Sequence, residues 1–455
     1  MDDTTARLAA YATQAEYTGL SPETVHASKR TLIDSFACAI GAYDEPVCRM
    51  AREFAKSYSA PNGAPAAGIW GCSTITTPEA AAFANGVMVR FLDINDMYRK
   101  KSGGHPSDIA SGLIAVAEAV HADGRALINA LALAYDVYCG ACDAIDVNSL
   151  GWDTPFFGAV ACALGAGKLL GLTREQLGEA AALALVPNMT LFQTRTGDLS
   201  SWKGCAGANG ARNGVFAALL ARQGFTGPTA AFEGSGGLWD VVGRFDLALP
   251  TGPGATRYIT RTNMKCFPVC YHGQAAVRTA LQIRPRVRVE DIAEIEIGAY
   301  KMAVEQMATD PSRWAPKTRE TADHSLPYVV AAALLDGKLT THSYSAERLV
   351  DPRIAGLIRK SRAVEVPEFS ARYPEYAQCR IKIRTVSGNT VVAEVDNPKG
   401  HATSPMEDSD LEAKFRAFFE GYGSNLQCET LLKALWDLDK VREIGDVLKL
   451  ISSDR

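Results

Sequence analysis

A chain of 455 residues, 47% hydrophobic and 22% charged, is too long for one ordinary core and too apolar to stay disordered, so two folded domains are expected. Its 47 basic and 51 acidic side chains leave a net charge of −4, which argues against a nucleic-acid partner and confines any positive patch to a local site suited to a small anion. No apolar run is long enough to cross a membrane, and the opening MDDTTARLAAYATQAEY has acids where a secretory signal needs basic residues, so a cytoplasmic protein with no membrane partner is expected.

From the start to about Pro268 the pattern is helical. Ser21-Pro22-Glu23 is an N-cap followed by proline in the first turn, and it opens a helix that runs to about Ile40. Thr77-Pro78-Glu79 repeats the device ahead of AAAFANGVMVRFL. Further helices are expected over Pro106 to Ala122, Arg125 to Cys142, Phe156 to Leu170, Thr173 to Leu185 and Lys203 to Arg222. Several are so rich in Ala and Gly that their backbones can pack closely, as in a helical bundle. The eleven cysteines are scattered, and the single CxxC pair, Cys139 and Cys142, sits inside a helical pattern. It reads as two buried thiols rather than a zinc or redox site.

Beyond Pro268 the period changes. QAAVRTALQI is helical, VEDIAEIEIGAY alternates like a strand, and CRIKIRTVSGNTVVAEVD reads as a hairpin. Ile381 and Ile383 share one face of the first strand, Val391, Ala393 and Val395 share one face of the second, and Ser387-Gly388-Asn389 turns between them. Helical patterns return from about Ser409. The expectation is a mostly α chain with an α+β part: a large all-helical domain over 1–267 and 405–455, interrupted by a smaller α+β domain over 268–404.

The stretch LDINDMYRKKSGGHPSD, Leu92 to Asp108, concentrates three carboxylates, a histidine and three cations between helices that carry few charges. His105 stands where a helix N-cap is expected. Unpaired N–H groups there favour an anion and disfavour an imidazolium, so His105 is expected neutral and able to take up and return a proton. Asp93 and Asp96 share a face if the preceding helix continues through them, and either can orient His105 or bond a substrate hydroxyl. Arg99 and Ser107, in the same stretch, are candidates for holding substrate. Taken singly, such an acid is often only a cap and such a histidine only a loop residue.

Lys203 opens a helix whose Gly204, Gly207, Ala208 and Ala211 recur at helical spacing, and Lys203 and Arg212 can meet a carboxylate. No strand precedes it, so it is not a dinucleotide fingerprint; LGAGKLL is not a phosphate loop, because Cys162 and Leu169 replace the required Gly and Ser or Thr. KCFPVCYHGQ gathers Lys265, Cys270, Tyr271 and His272 at the domain boundary, and His324 and Tyr328 lie one helical turn apart before an apolar run. Sites often form between domains, which makes these segments a plausible second wall. His26, His121, His342 and His401 sit in plain helical or loop contexts. No HExxH, calcium loop or iron–sulfur ligand set is present, so no metal is expected.

LDIND followed by GHPSD, then LGLTREQLGEAAALA, the Lys203 segment, FEGSGGLWDV, KCFPVCYHGQAAV and HSLPYVVAAALLDG, in that order along nearly the whole chain, resemble the MmgE/PrpD family. That family includes 2-methylcitrate dehydratases, cis-aconitate decarboxylases and an iminodisuccinate epimerase. The resemblance implies a helical domain built from both chain ends, an inserted α+β lid, a homodimer, and no metal or organic cofactor. By motif, Asp93 and His105 resemble the family's active-site acid and histidine, and Lys203 its lysine. Tyr328 matches a tyrosine of the decarboxylase branch, and the Cys270–His272 segment resembles one that supplies a lid-side histidine there. The chain departs from the pattern at Met97, where the family has Thr, in MYRKKSGG, and around Gly151-Trp152-Asp153-Thr154, which lacks a family histidine. The implied activity is a cofactor-independent lyase acting on a small di- or tricarboxylic acid, with dehydration of a 2-methylcitrate-like acid favoured because GHPSD is closer to the dehydratases. Decarboxylation, epimerisation and non-catalytic carboxylate binding are the alternatives.

Overall fold

Helix starts fall where local capping chemistry puts them. Ser21 accepts from Thr24 N ahead of the helix Pro22–Gly41, and Pro78 opens Pro78–Phe91. Asp123 caps Gly124–Ala144, and Thr173 and Gln176 form a reciprocal capping box on Arg174–Leu185. The structure is a computed structural model whose described residues are 1–452. Two expected helices begin later than the pattern suggests. A 3-10 turn, Pro106–Ile109, precedes Ala110–Ala119, and a second, Ser201–Gly204, holds Lys203 ahead of Ala206–Arg222.

Ala206–Arg222 packs against Pro155–Leu169 and Pro78–Phe91, and small residues set the distances. A Cβ on Gly210 would lie 2.5 Å from the Pro155 carbonyl oxygen, one on Gly214 2.5 Å from that of Ala159, and one on Gly86 2.9 Å from the Cβ of Ala208. The bundle therefore closes backbone against side-chain-free backbone, a packing no larger residue permits. Its core runs from Leu8 to Met264 and takes up residues again from Met406 to Ile451. The returning helix Asp408–Phe419 lies on Pro22–Gly41. From it, Lys414 Nζ bonds Asp34 Oδ1 at 2.6 Å and the carbonyls of Ile94 and Lys265 at 2.8 and 3.0 Å.

A second core spans Val269 to Val395 and includes Met97. It forms around a four-stranded sheet in the order Thr390–Val395, Cys379–Thr385, Ile292–Ala299, Ser361–Glu365, antiparallel except for the last pair. Ile297 pairs with Ile381 and Ile295 with Ile383, so the buried side chains of adjacent strands coincide on one face. Helices Gln274–Ile283 and Leu326–Asp336 pack on this unit. Its exposed strand residues carry ion pairs of Arg362 and Arg384 with Glu294. Among the described residues no helix is long and apolar enough to cross a membrane. All eleven cysteines are free, and Cys139 and Cys142 are buried, which pushes both thiols well above their ordinary range.

Gly210→Ala should lower stability by about 1–3 kcal/mol, because backbone oxygen cannot move aside as a side chain can. Gly356→Ala, in the helix Pro352–Arg359 with nothing closer than 3.9 Å, should be neutral or stabilise by up to about 1 kcal/mol. Calorimetry of the two variants checks both signs.

Candidate active site

The helix Pro78–Phe91 stops just short of Asp93, which turns into the left-handed region at φ 53. Asp93 and Asp96 therefore do not share a helical face. The turn is tolerable for Asp, and it aims the Asp93 carboxylate into a buried group of cations. Oδ1 accepts from Arg90 Nη1 at 2.6 Å and Lys265 Nζ at 2.5 Å; Oδ2 accepts from Lys203 Nζ at 2.9 Å. All four side chains are 1% exposed. Burial alone would raise the Asp93 carboxyl, but Arg90, Lys203 and Lys265 hold it well below the usual carboxylate range. Lys203 also bridges to Asp323 at 3.1 and 3.2 Å.

His105 accepts from Arg90 Nη2 at 2.9 Å through Nε2, and its Nδ1 meets the Asp96 carbonyl at 2.7 Å. A guanidinium can only donate, so Nε2 is the bare nitrogen and the proton sits on Nδ1. His105 is held neutral, as expected, but for a different reason. Burial, then Arg90 and Lys265, push its pKa well below the ordinary value, and the short turn behind it is 3-10. Asp96 faces away from the cavity, accepting from Ser107 N at 3.0 Å and Tyr135 Oη at 2.7 Å, and burial raises it to about 6. Ser107 Oγ accepts from Asn95, so Asp96 and Ser107 brace the loop rather than the cavity wall.

A cavity of about 450 Å3 opens between the two cores, lined by Arg90, Asp93, Arg99, His105 and Arg195 from one side and by Met97 of the second core with Cys270, His272, Met302, Arg313 and His324 from the other. His272 Nδ1 lies 2.7 Å from Tyr300 Oη, and Tyr300 stacks on Tyr373. Burial, then Arg99 and His324, push His272 well below its ordinary pKa, so it too is neutral. Arg195 is paired with Asp153 at 2.9 Å. Arg313, 2% exposed, is different: Nε and Nη1 are both buried without a protein partner. Asp93, Asp323 and His324 place ligand-type atoms within 4.8 Å of one another. Lys203 spans the two carboxylates and Lys265 caps the first, so ammonium groups already hold the charge that a cation would balance.

Of the residues expected from the sequence, the structure brings Asp93, Arg99, His105, Cys270 and His272 to this cavity. Lys203 lies behind Asp93, buried and fully paired. Tyr328 does not reach the site: the turn of Leu326–Asp336 sends its hydroxyl to the Ser343 carbonyl at 2.7 Å, and its ring stacks on Tyr344. Arg212 is exposed and bonds only its neighbour Asn213, because glycines occupy the inward face of that helix. Sequence reasoning assigned no role to Arg90, Arg195, Arg313 and Asp323, and it named Lys265 and His324 only within segments expected to form a second wall. Two signals were available: an arginine in the apolar run VMVRFL three residues before Asp93, and the charged pair in TADHS directly before an apolar helix.

Residues 6–247 match the MmgE/PrpD N-terminal domain and residues 267–439 the MmgE/PrpD C-terminal domain. The 2-methylcitrate dehydratase of Cupriavidus necator is 29% identical over 89% of this chain and 87% of its own. That of Salmonella typhimurium is 28% identical over 82% and 80%. The cis-aconitate decarboxylase of Homo sapiens is 25% identical over 95% and 91%.

Asp93→Asn should cost about 3–5 kcal/mol, since it leaves buried cations without their counter-charge. Asp93 has a folded-state pKa below its unfolded value. Its stabilisation is therefore fully present above about pH 4 and fades as pH falls through the folded value. Denaturant titrations should show the gap between wild type and variant shrinking below about pH 4.

Proposed function

The chain belongs to the MmgE/PrpD family, and from that premise we propose that it is a cofactor-independent lyase which dehydrates a 2-methylcitrate-like hydroxy acid by acid/base catalysis. The observation that carries this reading is Arg313. A buried guanidinium with two nitrogens unpaired is costly unless an anion completes it, and Arg99 lines the same cavity with its buried Nε also unpaired. A di- or tricarboxylic acid supplies such anions. Dehydration removes a proton from the carbon beside a carboxylate while the neighbouring hydroxyl leaves with a proton. The charge that builds on the carboxylate is stabilised by nearby guanidinium groups. Neutral His105 and His272 are the protonation states a proton acceptor needs.

Decarboxylation of a cis-aconitate-like acid is the second reading, favoured by the coverage of the human decarboxylase; it uses the same carboxylate grip and one group to protonate the carbanion. We place the enzyme in the cytoplasm, in propionate metabolism, as a homodimer. Support for the dimer comes from the exposed apolar side chains Val186, Leu191, Trp202 and Phe216 on segments that adjoin in the fold.

Incubating the protein with 2-methylcitrate, citrate, cis-aconitate and iminodisuccinate in D2O, followed by NMR, should show water loss from 2-methylcitrate. CO2 loss from cis-aconitate, or deuterium uptake without conversion, would select a different activity, and tight binding with no conversion would make the site a carboxylate receptor. On a confirmed substrate, Arg313→Met should raise KM by about 30-fold or more, the equivalent of about 2 kcal/mol of lost carboxylate binding. Light scattering should return twice the chain mass of 48.7 kDa.

A further inference from the structure

A thiol lines this cavity, and its surroundings differ from those of the other buried cysteines. Cys38, Cys48 and Cys162 are pushed up by burial, the behaviour of inert core thiols. Cys270 is as deeply buried, and burial alone would raise it as well, yet its contact with His324 brings it below the ordinary thiol value. The geometry explains the difference. His324 Nδ1 lies 2.5 Å from Asp323 Oδ1, which fixes the ring; its Nε2 lies 3.7 Å from Asp93 Oδ2, and Cys270 lines the same cavity. Burial and Lys203 oppose a proton on His324, but Cys270 and Asp323 together raise its pKa above the ordinary value. Cys270 N in turn donates to the Asp323 carbonyl at 3.0 Å, so the three residues form one hydrogen-bonded unit, with Cys270 and His324 at the cavity wall.

We propose that Cys270 and His324 are the proton-transfer pair of this cavity: Cys270 is the base at the carbon beside the substrate carboxylate, His324 the acid at the departing hydroxyl, and Asp323 the residue that positions His324. This rests on the lyase reading above. The thiolate sulfur takes the proton as the C–H bond breaks. The C–H electron pair becomes the second bond of the alkene, the C–O bond breaks, and the oxygen leaves as water with the proton from the imidazolium. Thiol and neutral imidazole remain, and transfer of the thiol proton to Nε2 restores the starting pair, so no oxidant, metal or external acid is consumed. The charged and titratable groups around the sulfur are His324 and Asp323 ahead of the helix Leu326–Asp336, Asp93 and Lys265 from the first wall, and Arg313, Tyr300 and Tyr373 from the second unit.

Iodoacetamide alkylation of Cys270 in the intact protein, followed against pH by peptide mass spectrometry, tests the pair without any substrate. The rate should rise with a midpoint below the ordinary thiol value of about 8.5, and in His324→Gln that midpoint should move up to or past it. A wild-type midpoint at or above 8.5, or no movement in the variant, overturns the pairing. On a confirmed substrate, Cys270→Ala should lower kcat by at least about 100-fold with KM within about threefold, and the near-isosteric Cys270→Ser should be impaired in the same parameter. Turnover within threefold of wild type in Cys270→Ala overturns the role of Cys270. If the wild-type protein converts none of the four acids, the lyase reading fails, and the alkylation profile alone decides the pair.

Discussion

One carboxylate, that of Asp93, is held out of water by three cations that arrive from three distant parts of the chain. Arg90 comes from the helix just before it, Lys203 from a 3-10 turn 110 residues on, and Lys265 from the approach to the second core. None of the four side chains can be buried without the others, because an isolated charge in this interior is not tolerated. The cluster therefore specifies which segments meet more than it adds net stability. Arg90, Lys203 and Lys265 meet Asp93 and Asp323, and Arg90 Nε also lies 3.9 Å from Asp108, whose carboxyl burial raises to about 7. The cluster thus largely cancels its own charge, and the pull on an anion comes from the unpaired guanidinium nitrogens of Arg99 and Arg313.

The same cations fix the histidines. Arg90 reaches from Asp93 to His105 and keeps that ring neutral, whereas His324 is tied to Asp323 and favours its proton. Two imidazoles on the two walls of one cavity thus sit in opposite protonation states, a division that comes from which charge each ring faces. Both states lie within one small volume and follow from a single arrangement of charges.

Much of this was legible in the sequence where the cause is local. Proline and cap residues mark the starts of Pro22–Gly41 and Pro78–Phe91, and strict alternation marks the strands around Ile381 and Ile383. The concentration of charge from Leu92 to Asp108 pointed to the cavity wall because charge is costly between apolar helices. What was not legible depends on distance in sequence. Asp93 leaves the helical path under the pull of cations that lie beyond any local window. The partner of His324 in the site, Cys270, is 54 residues away. Tyr328 was expected in the site from its match to the decarboxylase branch and its position one turn from His324, but its hydroxyl is taken up by Ser343. Spacing places residues on a helix without saying what the opposite surface offers them.

Lys414 carries a consequence for how the protein is made. It lies in a returning helix and is the counter-ion of Asp34, and it holds the carbonyls of Ile94 and Lys265, which lie next to the residues of the charge cluster. During synthesis the bundle and the inserted sheet leave the ribosome before Lys414 does. Until then Asp34 faces an interior with its counter-ion missing, and the backbone on both sides of the cluster lacks its tie. The ties on either side of the cluster are thus completed last, by a helix that lies outside the cavity lining.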